Sequence, residues 1–177
     1  MWFKNLTVYR LDTSWNMSAQ ELSQQLEAKR FVPAMSTQSV ATGWVPPREN
    51  HDTYAYSCNG CMLITMRREK KLLPPKVVAE FVKDVVRKIE ENEGRKPGRK
   101  EMREIKENVT HELMSKAFAI KDDIHAYIDP KGGWLVINAG SAASADLIVN
   151  GLQDAVSGMP LSFLQLETSP GVAMTNW

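Results

Sequence analysis

Cys58-Asn59-Gly60-Cys61 is the motif with the most obvious chemistry, because a C-x-x-C pair can serve redox reactions or bind zinc. A redox pair needs its first thiol at a helix start, whereas Asn-Gly between two β-like runs predicts a two-residue hairpin. Zinc would need two more ligands, and the three histidines form no second closely spaced pair. We therefore favour a structural role for both cysteines, whose thiols can lie near each other and oxidise on storage.

No residue set for nucleophilic catalysis is visible, since the histidines are scattered and no serine occupies a G-x-S-x-G elbow. Asp122-Asp123 is interpreted as a solvated turn. Gly140-Ser141-Ala142 before a predicted helix could bind an anion, but it lacks the glycine spacing and the lysine of a P-loop. The sequence therefore predicts no enzyme activity, no metal site and no cofactor.

Positive charge is concentrated in the middle of the chain, although the net charge is only +1. Residues 67–121 hold 16 of the 22 Lys and Arg but only ten of the 21 Asp and Glu. Many of these cations lie three or four residues apart, so they share helix faces that a polyanion could neutralise. Charge alone favours this interpretation no more than an ordinary solvated surface. The candidate residues for contact with a nucleic acid such as DNA, or with another anionic surface, are Arg67, Arg68, Lys70, Lys71, Lys76, Arg95, Lys96, Arg99, Lys100, Arg103, Lys106 and Lys116.

The elements that carry these residues are predicted from periodicity and turn signals. A capping box of Ser18 and Glu21 starts a short helix, and Ser141 caps another that Gly158 closes. The two prolines of Gly43-Trp44-Val45-Pro46-Pro47 are expected to break any regular element. Alternation and turn residues predict strands at 3–11, 31–35, 53–58, 61–67, 124–129, 134–139 and 161–166.

Between these strands the apolar period changes to that of helices. Val77 to Ile89 and Met102 to Leu113 each repeat at four-residue spacing, and the connector 94–98 is short. We expect an antiparallel pair of arms, each about 25 to 30 Å long, that protrudes from the body. The fold class is therefore predicted as α+β, a mixed or antiparallel sheet body with an inserted, protruding antiparallel helical hairpin.

Composition excludes several protein classes. With 177 residues, 43% hydrophobic and 24% charged, the chain is neither disordered nor a disulfide scaffold. No apolar stretch approaches the roughly 18 residues that cross a bilayer, so we expect a soluble cytosolic protein without membrane contact.

Phe118 lies between two lysines at the foot of the second helix. Core packing is the commoner role for such a residue, and an exposed wedge is the alternative.

Five segments in order resemble the recombination-associated protein RdgC family of bacteria. The opening Met1-Trp2-Phe3-Lys4-Asn5-Leu6 and the Gly43-Trp44-Val45-Pro46-Pro47 run are the specific ones. The supporting segments are Lys71-Leu72-Leu73-Pro74, Lys116-Ala117-Phe118 and Tyr127-Ile128-Asp129.

The resemblance implies a nucleoid-associated protein that binds double-stranded DNA with little sequence preference and restrains recombinase-driven strand exchange by occupying the duplex. It implies a ring-shaped homodimer in which 1–73 and 119–177 form the central domain, 74–118 the helical tip, and Phe118 a gate at the tip contact. Members are longer than this chain, and their carboxyl-terminal base supplies a second dimer contact. Two copies of this chain joined through the tips alone are therefore expected to form an open arc. The alternative is a protein-interaction or self-association module whose helical hairpin is a docking surface.

Overall fold

The computed structural model describes residues 3–164 and 170–175 of the chain. Within them the chain forms seven strands and five helices. In chain order these are β1 (Leu6–Leu11), α1 (Ala19–Ala28), β2 (Val40–Val45), β3 (Ala55–Cys58), β4 (Cys61–Lys71), α2 (Pro75–Glu93), α3 (Arg99–Lys116), β5 (Ala119–Asp129), β6 (Trp134–Asn138), α4 (Ala142–Ala155), β7 (Leu161–Phe163) and α5 (Pro170–Thr175).

All seven described strands belong to one sheet with the order β2-β4-β5-β6-β1-β7, and β3 pairs with β4. The pairs β1/β6, β1/β7, β3/β4 and β5/β6 are antiparallel. The predicted α+β class is confirmed. No helix among the described residues is long and apolar enough to span a bilayer.

The chain divides into two compact units. Among the described residues, the first contains those up to Arg30, 43–66 and those from Asp123 onward, and the second contains Phe31–Thr42 and Arg67–Asp122. The predicted tip, 74–118, lies within the second unit.

The core of the first unit is built by helices α1 and α4 and the strands that they cover. Ser18 forms the predicted capping box, since its hydroxyl accepts from the Glu21 N–H while the Glu21 carboxylate accepts from the Ser18 N–H. Leu22 and Leu26 of α1 are fully buried, as are Ile148 and Leu152 of α4. Burial of each such side chain contributes roughly 1.5–3 kcal/mol, so this apolar contact holds both helices in place.

The second unit is built around the helix pair α2–α3. Val78 and Val82 of α2 pack against Ile105 and Val109 of α3 in a small separate core. Pro75 occupies the first turn of α2, where its missing N–H is no loss. Gly94 ends α2 with a φ of 65°, and its N–H donates to the Glu90 carbonyl.

One prediction near β2 is wrong. No strand forms at 31–35, because Pro33 interrupts it and the Ala34 N–H donates to the buried Glu69 carboxylate at 3.0 Å instead of to a ladder. The Gly43–Pro47 run begins within β2, and the strand ends at Val45, directly before the two prolines that are expected to break it. The residue before a proline prefers extended backbone, which is strand geometry, and β2 is at one end of the sheet order.

The local turn signals were more informative. Asn59 and Gly60 have φ values of 52° and 83°, and they join β3 and β4 in the predicted hairpin. Strand β5 starts at Ala119, five residues before the prediction, and α5 was not predicted. Strand β7 ends at Phe163; of the predicted 161–166, residues 165 and 166 lie outside the described residues.

Candidate nucleic-acid interface

The second unit carries the positive charge of the protein. Its residues include 16 Lys and Arg against 11 Asp and Glu, a net charge of +5. The rest of the chain has six basic and ten acidic residues, a net charge of −4. The asymmetry seen in the sequence is therefore a property of one folded unit.

Helix α3 presents a basic stripe, defined here as Arg99, Arg103 and Lys106. These residues are exposed and spaced i, i+4 and i+7, which places them on one helix face. The buried residues Ile105 and Val109 lie on another face. The stripe is therefore directed away from the α2–α3 core.

Helix α2 presents a second basic stripe, made of Lys76, Lys83 and Arg87. Their spacing of i, i+7 and i+11 again selects one exposed face, away from Val78 and Val82. Of these three residues, only Lys76 is among the cations predicted from the sequence. The i, i+7 and i+11 spacing is the signal that identifies Lys83 and Arg87.

Several predicted DNA-binding residues form ion pairs on the surface of the unit. The pairs in which they take part are Arg68 with Asp122 at 3.1 Å, Arg95 with Glu93 at 2.7 Å and with Glu101 at 2.7 Å, Arg103 with Glu107 at 2.9 Å, and Lys116 with Glu112 at 2.7 Å. Exposed pairs contribute little to stability because water and salt screen them. The Arg103 and Lys116 side chains are 81% and 69% exposed, so a phosphate can compete for them.

Arg95 is held more firmly than the other arginines. Both of its terminal nitrogens donate to the two Glu101 carboxylate oxygens, at 2.7 and 3.0 Å. The hydrogen bond and charge of Glu101, followed by the charge of Glu93, raise the pKa of Arg95. Reciprocally, the hydrogen bond from Arg95 lowers the pKa of Glu101. Through Glu93 and Glu101, Arg95 links the end of α2 to the start of α3.

Lys71 and Arg67 also have roles within the fold. The Lys71 ammonium donates to the carbonyls of Met35 at 2.8 Å and Ser36 at 3.2 Å, so it anchors the segment 31–42. The Arg67 guanidinium lies 6.0 Å from the centre of the Phe31 ring and is half-buried.

Six of the predicted cations form neither an ion pair nor a side-chain hydrogen bond with any described residue. All six are exposed. They are Lys70, Lys76, Lys96, Arg99, Lys100 and Lys106, and four of them lie between the connector and the first half of α3.

A groove of about 470 Å³ runs beside the α3 stripe. Arg103, Lys106 and Thr110 line it from α3, together with Thr37 of the segment 31–42. Lys71 and Glu69 hold that segment through the bonds to Met35, Ser36 and Ala34. The groove therefore lies where the α3 stripe meets the segment 31–42.

Phe118 is 86% exposed, so the core-packing interpretation is wrong. Its carbonyl accepts from the Leu72 N–H at 2.7 Å, which fixes the backbone while the ring stays in solvent. Leu72 and Ile120 are also exposed, at 46% and 48%. We call these three residues the Phe118 patch.

The remaining groups with possible chemistry are the histidines, the cysteines and the carboxylates. Within residues 3–164 and 170–175, no group of three or more His, Cys, Asp or Glu side chains could hold a metal ion. His125 lies 2.8 Å through Nδ1 from the Thr65 hydroxyl, and burial lowers the pKa of this histidine. Cys58 and Cys61 are free thiols across the β3–β4 turn.

Comparison with known proteins places the chain in a family. The family model described as "Putative exonuclease, RdgC" matches residues 1–177. The recombination-associated protein RdgC of Janthinobacterium sp. (strain Marseille) is 45% identical over 177 residues, which are 100% of this chain and 59% of the relative. The proteins of that name from Paraburkholderia phymatum and Cupriavidus necator are each 44% identical over the whole chain, which covers 58% and 59% of them. The chain thus spans less than two thirds of the length of these curated relatives, and it belongs to the RdgC family.

Proposed function

We propose that this chain binds double-stranded DNA without sequence preference and that its occupancy of the duplex restrains recombinase-mediated strand exchange. The observation that carries the proposal is the second unit, with its charge of +5 and with six of the predicted cations exposed and in no ion pair with described residues. Family membership adds the connection to recombination. The protein would then act at the bacterial nucleoid.

Phosphate neutralisation explains both the affinity and the lack of sequence preference. Lysine and arginine contacts to phosphates release counterions and carry no base information. If the six cations without an ion pair each met a phosphate, log K would fall with log salt with a slope of about −5 on B-form DNA.

The decisive experiment compares two sets of three neutralised cations. Arg99, Lys100 and Lys106 are changed together to Gln, which keeps good helix propensity in α3. The matched control changes Lys4, Lys29 and Lys131 to Gln, which removes the same charge from the first unit. Duplex binding is measured by fluorescence anisotropy over a series of salt concentrations.

The α3 variant should lose roughly 2.7 from the magnitude of the salt slope, which corresponds to three phosphate contacts, while the control keeps the slope of the original chain. Equal losses in both variants would show that only net charge matters, and would contradict an interface on α3.

We further propose that binding involves no catalysis. The family description mentions an exonuclease, so an end-labelled linear duplex should be incubated with the protein and Mg²⁺. The labelled strand should keep its full length during an incubation long enough for binding to reach equilibrium. Shortening of the labelled strand in proportion to protein would replace the occupancy mechanism by a nuclease.

A second candidate function is self-association, and the Phe118 patch is the observation that favours it. A phenylalanine that is 86% exposed beside Leu72 and Ile120 is an apolar surface that a second copy could cover. A homodimer would follow from such a contact. The two functions are compatible, because the patch and the α3 stripe use different residues.

A further inference from the structure

Cys58 and Cys61 form a pair that the proposed DNA-binding function does not use. The β3–β4 register places them directly opposite each other across the two-residue turn. Asn59 and Gly60 adopt the positive φ values that a type I′ hairpin needs. Directly opposite residues of antiparallel strands point to the same face of the sheet, so the turn brings both thiols together.

The spacing of such a pair suits a disulfide. Opposite residues in antiparallel strands have Cα atoms about 4.5 to 5.5 Å apart. Disulfides usually join residues with Cα atoms about 4.4 to 6.8 Å apart. The Cα separation is therefore compatible with the bond, and the β-carbons, about 4.5 to 5.5 Å apart in an opposite pair, must approach to the roughly 3.5 to 4.5 Å of a disulfide.

The two thiols differ in their surroundings. Cys58 is exposed, whereas Cys61 is partly buried. Burial raises the pKa of the Cys61 thiol, and the charges of Asp129 and Cys58 raise it further. Cys58 is therefore the accessible thiol that a reagent meets first, and Cys61 is the nearby thiol that can react second.

We propose that Cys58 and Cys61 are a redox modification site, which forms a reversible intrachain disulfide by exchange with a small-molecule disulfide such as oxidised glutathione. The Cys58 thiolate attacks one glutathione sulfur, which forms a mixed disulfide and expels one glutathione thiolate. Deprotonated Cys61 then attacks the Cys58 sulfur, which forms the Cys58–Cys61 bond and expels the second glutathione. Two protein thiols lose two electrons and two protons, and one glutathione disulfide becomes two glutathione thiols.

The test begins with the reduced chain in mixtures of reduced and oxidised glutathione, followed by alkylation of the remaining thiols and intact-mass measurement. The expected product is a monomer that has lost two hydrogens and takes up no alkylating agent. Dithiothreitol should restore both alkylation sites.

Two serine variants test the order of events. Cys61→Ser should accumulate one glutathione on Cys58, because the second attack is missing. Cys58→Ser should gain glutathione more slowly, because Cys61 is less accessible and less readily ionised. Thermal unfolding under reducing conditions should be the same for both variants and the original chain, since neither thiol forms a bond there.

Three outcomes would overturn the proposal. The original chain could keep two alkylatable thiols at every glutathione ratio, it could stop at the mixed disulfide, or its oxidised form could be a covalent dimer. All three are read from the mass alone, so the result is independent of whether the protein binds DNA.

Discussion

Individual cations in the second unit have different tasks, although the sequence presents them as one cluster. Arg95 contacts two glutamates, and Lys71 donates to two backbone carbonyls, so both hold the fold together. Lys106 forms no ion pair with described residues and lines the groove beside α3. Residues of the first kind should affect stability, and residues of the second kind should affect the binding of an anion.

The pair of Arg95 and Glu101 predicts a dependence of stability on acid. The pKa of Glu101 is lowered in the folded state from its ordinary value of 4.5, chiefly by the Arg95 hydrogen bond. A carboxyl with a depressed folded pKa contributes stability above its unfolded pKa, and that contribution is lost as the pH falls through the folded pKa. The unfolding temperature should therefore decrease below about pH 4.5, and Glu101→Gln should weaken this decrease.

Glu104→Gln is the matched control, because Glu104 lies on the same helix and forms no ion pair with any described residue. Unfolding temperatures are compared between about pH 6 and about pH 3, where glutamates titrate. The same acid dependence in the two variants would show that the Arg95–Glu101 pair contributes nothing specific.

At the scale of elements, the two ends of the connector between α2 and α3 show how backbone conformation limits sequence. Gly94 has a φ of 65° and open space around its α-carbon, so a methyl group there meets no neighbour but forces an unfavourable backbone. Gly94→Ala should therefore cost about 1 kcal/mol of unfolding free energy. Denaturant unfolding followed by circular dichroism measures this cost.

Gly98→Ser is the complementary change at the start of α3. Gly98 has extended backbone, and its N–H already donates to the Glu101 carboxylate at 3.3 Å, which is half of a capping box. A serine hydroxyl can supply the other half, as Ser18 does in α1. The variant should gain a few tenths of a kcal/mol. If both glycine variants were destabilised equally, the left-handed backbone at Gly94 would not be the cause of the loss in Gly94→Ala.

The same elements show which parts of the structure local sequence can predict. Caps, the Asn59-Gly60 turn and the apolar stripes of α2 and α3 act over a few residues, so their spacing predicts these elements closely. The segment 31–42 depends instead on Glu69 and Lys71, which are more than 30 residues away in the chain. No local pattern contains those contacts, and this is why a strand was predicted at 31–35.

For the candidate site, the sequence identifies basic residues and their helix faces. It does not show which cations are neutralised by a glutamate, because several acidic residues lie within reach of each arginine. Arg103 pairs with Glu107 four residues later, whereas Arg95 reaches Glu101 across the connector. The structure of the helix pair is needed to distinguish these paired arginines from Lys96, Arg99, Lys100 and Lys106, which form no ion pair with described residues.

At the scale of the whole molecule, the Phe118 patch predicts how copies of the chain associate. Phe118→Ser removes most of the exposed apolar surface of the patch but leaves its backbone bond to Leu72. Phe163→Ser is the matched control, since Phe163 is also 75% exposed but belongs to β7 of the first unit. Sedimentation velocity over a range of concentrations should show a dimer for the original chain and the control, and a monomer for Phe118→Ser.

Measurements of duplex binding distinguish the contact between copies at the Phe118 patch from the DNA interface. A dimer on DNA joins two sets of phosphate contacts, so loss of the dimer should weaken apparent affinity and halve the magnitude of the salt slope per bound particle. The basic residues of each copy are unchanged in Phe118→Ser, so a monomer should still bind with the slope of one unit. A dimer that persists in Phe118→Ser but is lost in Phe163→Ser would instead assign the contact between copies to the first unit.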